Sequence, residues 1–118
     1  LVDPMVQSKI RQGVTTEVVG NCGNSAAPMN EQVKEYRKRY SRMNVPEDFE
    51  FNWETMEDYL NLIDSNGAGF NVVSFVGHGL IRQNVMGYEN RKPNEFELKE
   101  MKRLVAEAME QGAFGISS

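Results

Sequence analysis

FNVVSFVGHG, from Phe70 to Gly79, is apolar almost throughout as far as Gly77 and then stops in Gly-His-Gly. A half-buried strand alternates apolar with polar residues, whereas a near-continuous run of β-branched and aromatic residues suits a parallel strand covered on both faces. Parallel neighbours need crossover connections, usually helical, so this stretch predicts helices on either side of it and further strands beyond them. It also places GHG at a strand's carboxyl end, where open α/β sheets carry their functional loops.

The flanking sequence fits. Upstream, Asn52 is placed to cap a helix in which Trp53, Met56, Leu60 and Ile63 share one face, and SNGAG (Ser65 to Gly69) ends it. Farther upstream, Met29 to Met43 reads as a charged helix with a thin apolar face of Val33, Tyr36 and Tyr40; its basic cluster YRKRYSR reads as a solvated face with no binding role. VTTEVV (Val14 to Val19), bounded by Gly13 and Gly20, reads as a short, mostly buried strand, and Asp3-Pro4 opens a short helix before it. Downstream, Leu80 to Pro93 shows no clear periodicity and reads as a long loop. Asn94 and Glu97 then form an N-cap pair for a helix with an apolar stripe of Leu98, Met101, Leu104, Val105, Ala108 and Met109; Gly112 ends it, and AFGISS forms a last strand.

The pattern predicts an α/β fold: about three parallel strands alternating with helices, in one segment spanning residues 1–118. A last strand with no helix after it suggests a piece of a larger α/β domain. The formal net charge of −4 gives a nucleic-acid backbone no electrostatic footprint. No apolar run approaches the roughly 18 residues of a membrane-spanning helix. One cysteine cannot form an intramolecular disulfide, which suits a reducing, cytoplasmic setting.

The residues that could carry chemistry cluster at predicted strand ends. Cys22, the only cysteine, stands in GNCG after the first strand and could be a metal ligand, a nucleophile or a loop filler. Zinc takes three or four N, S or O ligands, and neither CxxC nor HxH spacing accompanies Cys22, so any other ligands come from elsewhere. His78, the only histidine, occupies the same kind of position in VGHG and could be structural or pair with Cys22 as a nucleophile and base. Arg82 could clamp a carboxylate in bidentate fashion or make a surface ion pair. The hydroxyls of Ser117 and Ser118 could face a ligand. GNCG matches neither phosphate-loop pattern.

Taken in order, QGVTTEVVGNCGNSAAP, FNWETMEDYLNLI, NVVSFVGHGLIRQNVMG and ELKEMKRLVAEAMEQGAFGISS resemble successive blocks of the N-acyl-D-amino-acid deacylases, or D-aminoacylases, over nearly the whole chain. The resemblance implies a partial (β/α)₈ TIM barrel of the amidohydrolase superfamily, with zinc at its carboxyl-end mouth and hydrolysis of the amide bond of N-acyl-D-amino acids. It makes Cys22 a metal ligand and His78 and Arg82 substrate-lining residues. The family's HxH pair corresponds to sequence before Leu1, and its other metal-binding histidines and catalytic aspartate to sequence after Ser118. An isolated segment of that kind would be inactive, would hold zinc weakly or not at all, and would self-associate through uncovered strand edges. The alternatives are a stand-alone α/β binding or interaction module in which Cys22 and His78 are structural, and a dihydroorotase-like or hydantoinase-like amidohydrolase, which would not be expected to carry the cysteine block.

Overall fold

A computed structural model describes residues 5–40, 46 and 49–118. The expected helix start at Asp3-Pro4 and the Ser41–Met43 end of the charged helix lie outside these residues. Among the described residues the elements run α1 (Gln7–Ile10), β1 (Thr16–Val19), α2 (Glu31–Tyr40), α3 (Met56–Asn66), β2 (Asn71–Ser74), β3 (Val76–Gly77), α4 (His78–Met86), α5 (Glu95–Glu110) and β4 (Ile116–Ser117).

The apolar run that decides the fold is one extended path with a change of partner in its middle. Its first half, β2, pairs in parallel with β1, in the register Thr16↔Asn71 to Val19↔Ser74. Its second half, β3, pairs in parallel with β4, in the register Val76↔Ile116 and Gly77↔Ser117. Phe75, between the halves, donates its amide to Val19, and Val76 donates to Gly115, each at 2.9 Å. Each strand is thus displaced along the next, which is the stagger a sheet needs to close into a barrel.

Parallel pairing requires the chain to return to the start of the next strand. α3 leads into β2 and α5 into β4, so these are the crossover helices. Both begin with a capping box. In α3 the Thr55 hydroxyl accepts from the Asp58 amide (3.1 Å) and the Asp58 carboxylate accepts from the Thr55 amide (3.0 Å). The cap is therefore Thr55, not Asn52, and Trp53 lies ahead of the helix, buried, with its indole N–H on the Ala26 carbonyl (2.9 Å). In α5 Asn94 and Glu97 form the expected reciprocal pair, each bond 2.8 Å. Of its stripe, Met101 and Ala108 are buried and Leu104 and Val105 pack against the core, while Leu98 and Met109 are exposed.

α2 and α4 are insertions in the connections that follow β1 and β3. The long loop expected from Leu80 is instead helical as far as Met86, with Leu80, Ile81 and Met86 buried. Polar residues obscure its period, because they do interior work. The Asn84 side chain donates to the carbonyls of Pro28 (2.9 Å) and Leu80 (2.8 Å) and accepts from the Asn30 amide (2.8 Å), fastening α4 to the start of α2. The core gathers Ala27, Met29, Val33, Met56, Val76, Leu80 and Ile81, none more than 1% exposed. Full burial of side chains of the larger kinds is worth about 1.5–3 kcal/mol each.

The strands themselves are less covered than their composition suggests. β1 alternates exposed and half-buried residues, and Val18, Phe114 and Ile116 are 45%, 71% and 54% exposed. The apolar composition that points to cover on both faces is present, but within the described residues Val18 on one face and Ile116 on the other stand exposed.

Candidate functional site at the strand carboxyl ends

Three stretches distant in sequence meet where β1, β3 and β4 end: Gly20 to Ala27, Gly77 to Leu80, and Ser117 with Ser118. Their glycines allow backbone to lie against backbone. A Cβ on Gly77 would stand 2.5 Å from the Gly23 carbonyl carbon and oxygen, and one on Gly79 would stand 2.8 Å from that oxygen. At Gly20, with φ +82, an added Cβ would overlap the carbonyl oxygen of Phe75. The glycines of GNCG and GHG thus serve a close crossing of two loops.

Hydrogen bonds lock the crossing. The Gly77 amide donates to the Ser25 hydroxyl (2.9 Å), which donates to the Ala27 carbonyl (2.7 Å). The Leu80 amide donates to the Gly23 carbonyl (3.2 Å), so the loop after β1 satisfies one of the unpaired amides at the start of α4. Ser117 reaches across from β4: its hydroxyl accepts from the Gly23 amide (3.1 Å) and donates to the Gly20 carbonyl. Arg37 of α2 donates to the Asn24 side chain and to the Ser25 carbonyl (2.7 Å). The basic cluster is therefore not wholly a solvated face. Burial pushes the Arg37 guanidinium below its ordinary value.

Cys22 sits in this loop with an exposed thiol and a left-handed φ of 56°, uncommon for a residue other than glycine. His78, also exposed, is the first residue of α4 and neighbours Gly77 and Gly79 of the same crossing. Cys22 and His78 are therefore each next in sequence to a glycine of one backbone contact. Arg82 lies one turn farther along α4. Its guanidinium donates to the carbonyls of Glu89 (2.7 Å) and Arg91 and holds the 87–94 connection against the helix.

Among the described residues no group of three or more His, Cys, Asp or Glu side chains is placed to hold a metal ion. An exposed cysteine at a strand's carboxyl end suits one position of a zinc site, and the described residues do not complete a set of three donors around it. A cleft of about 180 Å³ elsewhere, lined among others by Met29, Thr55, Asn84 and Gln111, includes none of Cys22, His78 and Arg82. Ser117 is legible in sequence only as a hydroxyl at a strand end, because both of its partners are more than 90 residues away.

No family model matches the chain. Individual relatives do. The chain is 36% identical over 118 residues to N-acyl-D-aspartate deacylase of Alcaligenes xylosoxydans xylosoxydans, an alignment that covers all of this chain and 23% of the relative. It is 36% identical over 115 residues to D-aminoacylase of the same organism, covering 93% of this chain and 22% of that one. Among solved structures, N-acyl-D-glutamate deacylase from Bordetella bronchiseptica, complexed with zinc and a phosphonate mimic of the tetrahedral intermediate, superposes with a TM-score of 0.80 at 28% identity, over 98% of this chain and 23% of that one. A D-aminoacylase described by its binuclear metal centre superposes with a TM-score of 0.74 at 34% identity, over 93% and 22%. The chain spans less than a quarter of the length of these relatives. Its parallel strands and crossover helices are a partial segment of a TIM-barrel amidohydrolase, and the chain is a homologue of the N-acyl-D-amino-acid deacylases over that segment.

Proposed function

We propose that the protein in which this sequence stands is a zinc-dependent deacylase that hydrolyses the amide bond of N-acyl-D-amino acids to a carboxylate and a free D-amino acid. The observation that carries this reading is the end-to-end similarity to deacylases of that class, together with a thiol displayed at the carboxyl end of β1. In TIM-barrel enzymes that end of the sheet bears the active site. A bound metal there would polarise the scissile carbonyl and lower the pKa of an attacking water.

Within this reading Cys22 is one metal donor, held by a loop with little freedom. His78 lines the substrate side of the same mouth as the first residue of α4. Arg82 contributes to that lining through α4 and the connection it holds, since two of its donations go to backbone carbonyls. Residues 1–118 act as one α/β segment. By itself the 118-residue chain would bind zinc weakly and would not turn over substrate, because one thiolate cannot complete a site of three or four ligands. It would also self-associate through the exposed apolar residues Val18, Phe114 and Ile116. Among the described residues no helix is long and apolar enough to cross a membrane. A cytoplasmic setting is proposed from the single unpaired cysteine.

The test is an activity and metal assay on the full-length protein with and without Cys22→Ala. Zinc content and deacylase rate should both fall, the rate by about two orders of magnitude or more, in line with loss of metal-supplied charge stabilisation. Unchanged zinc and rate would overturn the role given to Cys22, and a protein without activity on any N-acyl-D-amino acid would overturn the reaction.

A further inference from the structure

We infer that Ser117 is a positioning residue for the Cys22 thiol: its hydroxyl ties the segment bearing the cysteine, at Gly20 and at Gly23, to the end of β4. The inference rests on the proposed metal-binding part of Cys22 for its functional meaning, and on geometry alone for its structural content.

Asn21, Cys22, Gly23 and Asn24 form a turn just after β1, closed by the Asn24 amide on the Asn21 carbonyl (3.2 Å). Its two central residues, Cys22 and Gly23, both have left-handed φ, 56° and 70°, a turn conformation normally given to glycine, asparagine or aspartate. Here the Gly23 amide donates to Ser117 Oγ at 3.1 Å, and Ser117 Oγ donates to the Gly20 carbonyl. One hydroxyl thus bridges the residue before the turn and the turn's third residue.

Two features make this more than an incidental contact. The hydroxyl comes from β4, whose pairing with β3 fixes Ser117 opposite Gly77, so the turn is referenced to the sheet as well as closed within its own loop. The turn's third residue is also fixed on its other side, since the Gly23 carbonyl accepts from Leu80 at the start of α4. With Gly23 held on both its amide and its carbonyl, Cys22 has little backbone freedom left. The direction of its thiol follows from where β4 ends. A zinc ligand needs that property, because the metal requires donors at set distances and angles.

Two measurements on the 118-residue chain test the inference. In the unchanged chain, amide hydrogen exchange read by NMR should show the Gly23 N–H protected at least tenfold relative to its sequence-intrinsic rate. Less protection would overturn the inference without any variant being needed. The second measurement is the rate at which a small aromatic disulfide modifies the Cys22 thiol at fixed pH, in Ser117→Ala and Ser117→Thr. Circular dichroism and Trp53 fluorescence serve to show that each variant is folded. In folded Ser117→Ala the rate should change threefold or more, and Ser117→Thr, which keeps the hydroxyl, should stay within threefold of the unchanged chain. A folded alanine variant that changes less, or a folded threonine variant that changes as much as alanine, would overturn the inference. Neither measurement involves zinc or substrate, so failure of the deacylase reading and failure of the Ser117 assignment are separable.

Discussion

The carboxyl ends of the strands and the faces of the same sheet are packed by opposite rules. At the ends, Gly20, Gly23, Gly77 and Gly79 bring two loops into backbone contact, and serine hydroxyls and the Arg37 guanidinium fill the polar positions between them. On the faces of the sheet, Val18 on one side and Phe114 and Ile116 on the other stand open although their side chains favour burial. The first region is closely packed within the described residues and the second is not, so order is concentrated where Cys22 and His78 stand.

The largest expected effect breaks the comparison at its tight end. Gly77 has an ordinary φ of −84°, so an alanine there meets no backbone strain, only the Gly23 backbone 2.5 Å away. Overpacking that shifts backbone costs about 1–3 kcal/mol and occasionally more, and an overlap this deep with backbone belongs at the upper end. Gly67→Ala is the control. Gly67 has φ +71° and nothing within 4 Å, so its cost is the left-handed conformation alone, about 1–2 kcal/mol. Urea unfolding of both variants should rank Gly77→Ala well below Gly67→Ala, and the reverse order would show that the loops do not rely on the crossing.

A second prediction sharpens the open end. Light scattering should show the 118-residue chain associating at micromolar concentrations, and the double change Phe114→Ser with Ile116→Ser should shift it toward monomer. A monodisperse monomer for the unchanged chain would mean that the faces need no cover.

The smallest effect belongs to the far end of the crossover helices. Glu97 closes the α5 capping box and pairs with Arg91, whose hydrogen bonds together with the Asn94 amide hold the carboxyl down at about 2, against an ordinary 4.5. A carboxylate held low stabilises the fold fully above the ordinary value and loses that contribution as the pH falls toward the folded value. Between pH 4.5 and 2, then, the unchanged chain should lose thermal stability more steeply than Glu97→Gln. The pair is at the surface, so the difference should be modest and should shrink in high salt. Parallel pH profiles for the two proteins would remove Glu97 from the account.

How much of this the sequence discloses depends on whether the signal is local. The α5 cap is legible because Asn94 and Glu97 are three residues apart and answer each other. The parallel strands are legible from an apolar run too continuous for a half-exposed strand. α4 is not, because its apolar positions are interrupted by Asn84, two of whose three side-chain partners, Pro28 and Asn30, lie far upstream. The cap of α3 moves from Asn52 to Thr55 because a reciprocal carboxylate stands three residues after Thr55, at Asp58. At the site, the position of Cys22 after a strand is legible. The reason for its surrounding glycines is not, since the atoms they avoid belong to another loop.

The central claim is that this tightly built crossing presents Cys22 to a metal. Zinc K-edge X-ray absorption on the full-length, zinc-loaded protein tests it most directly, because a thiolate donor contributes scattering from sulfur at about 2.3 Å, beyond the nitrogen and oxygen shell at roughly 2.0–2.2 Å. The account predicts one sulfur neighbour in the unchanged protein and none in Cys22→Ala. A zinc shell made only of nitrogen and oxygen in the unchanged protein, or a sulfur neighbour that survives the substitution, would contradict it.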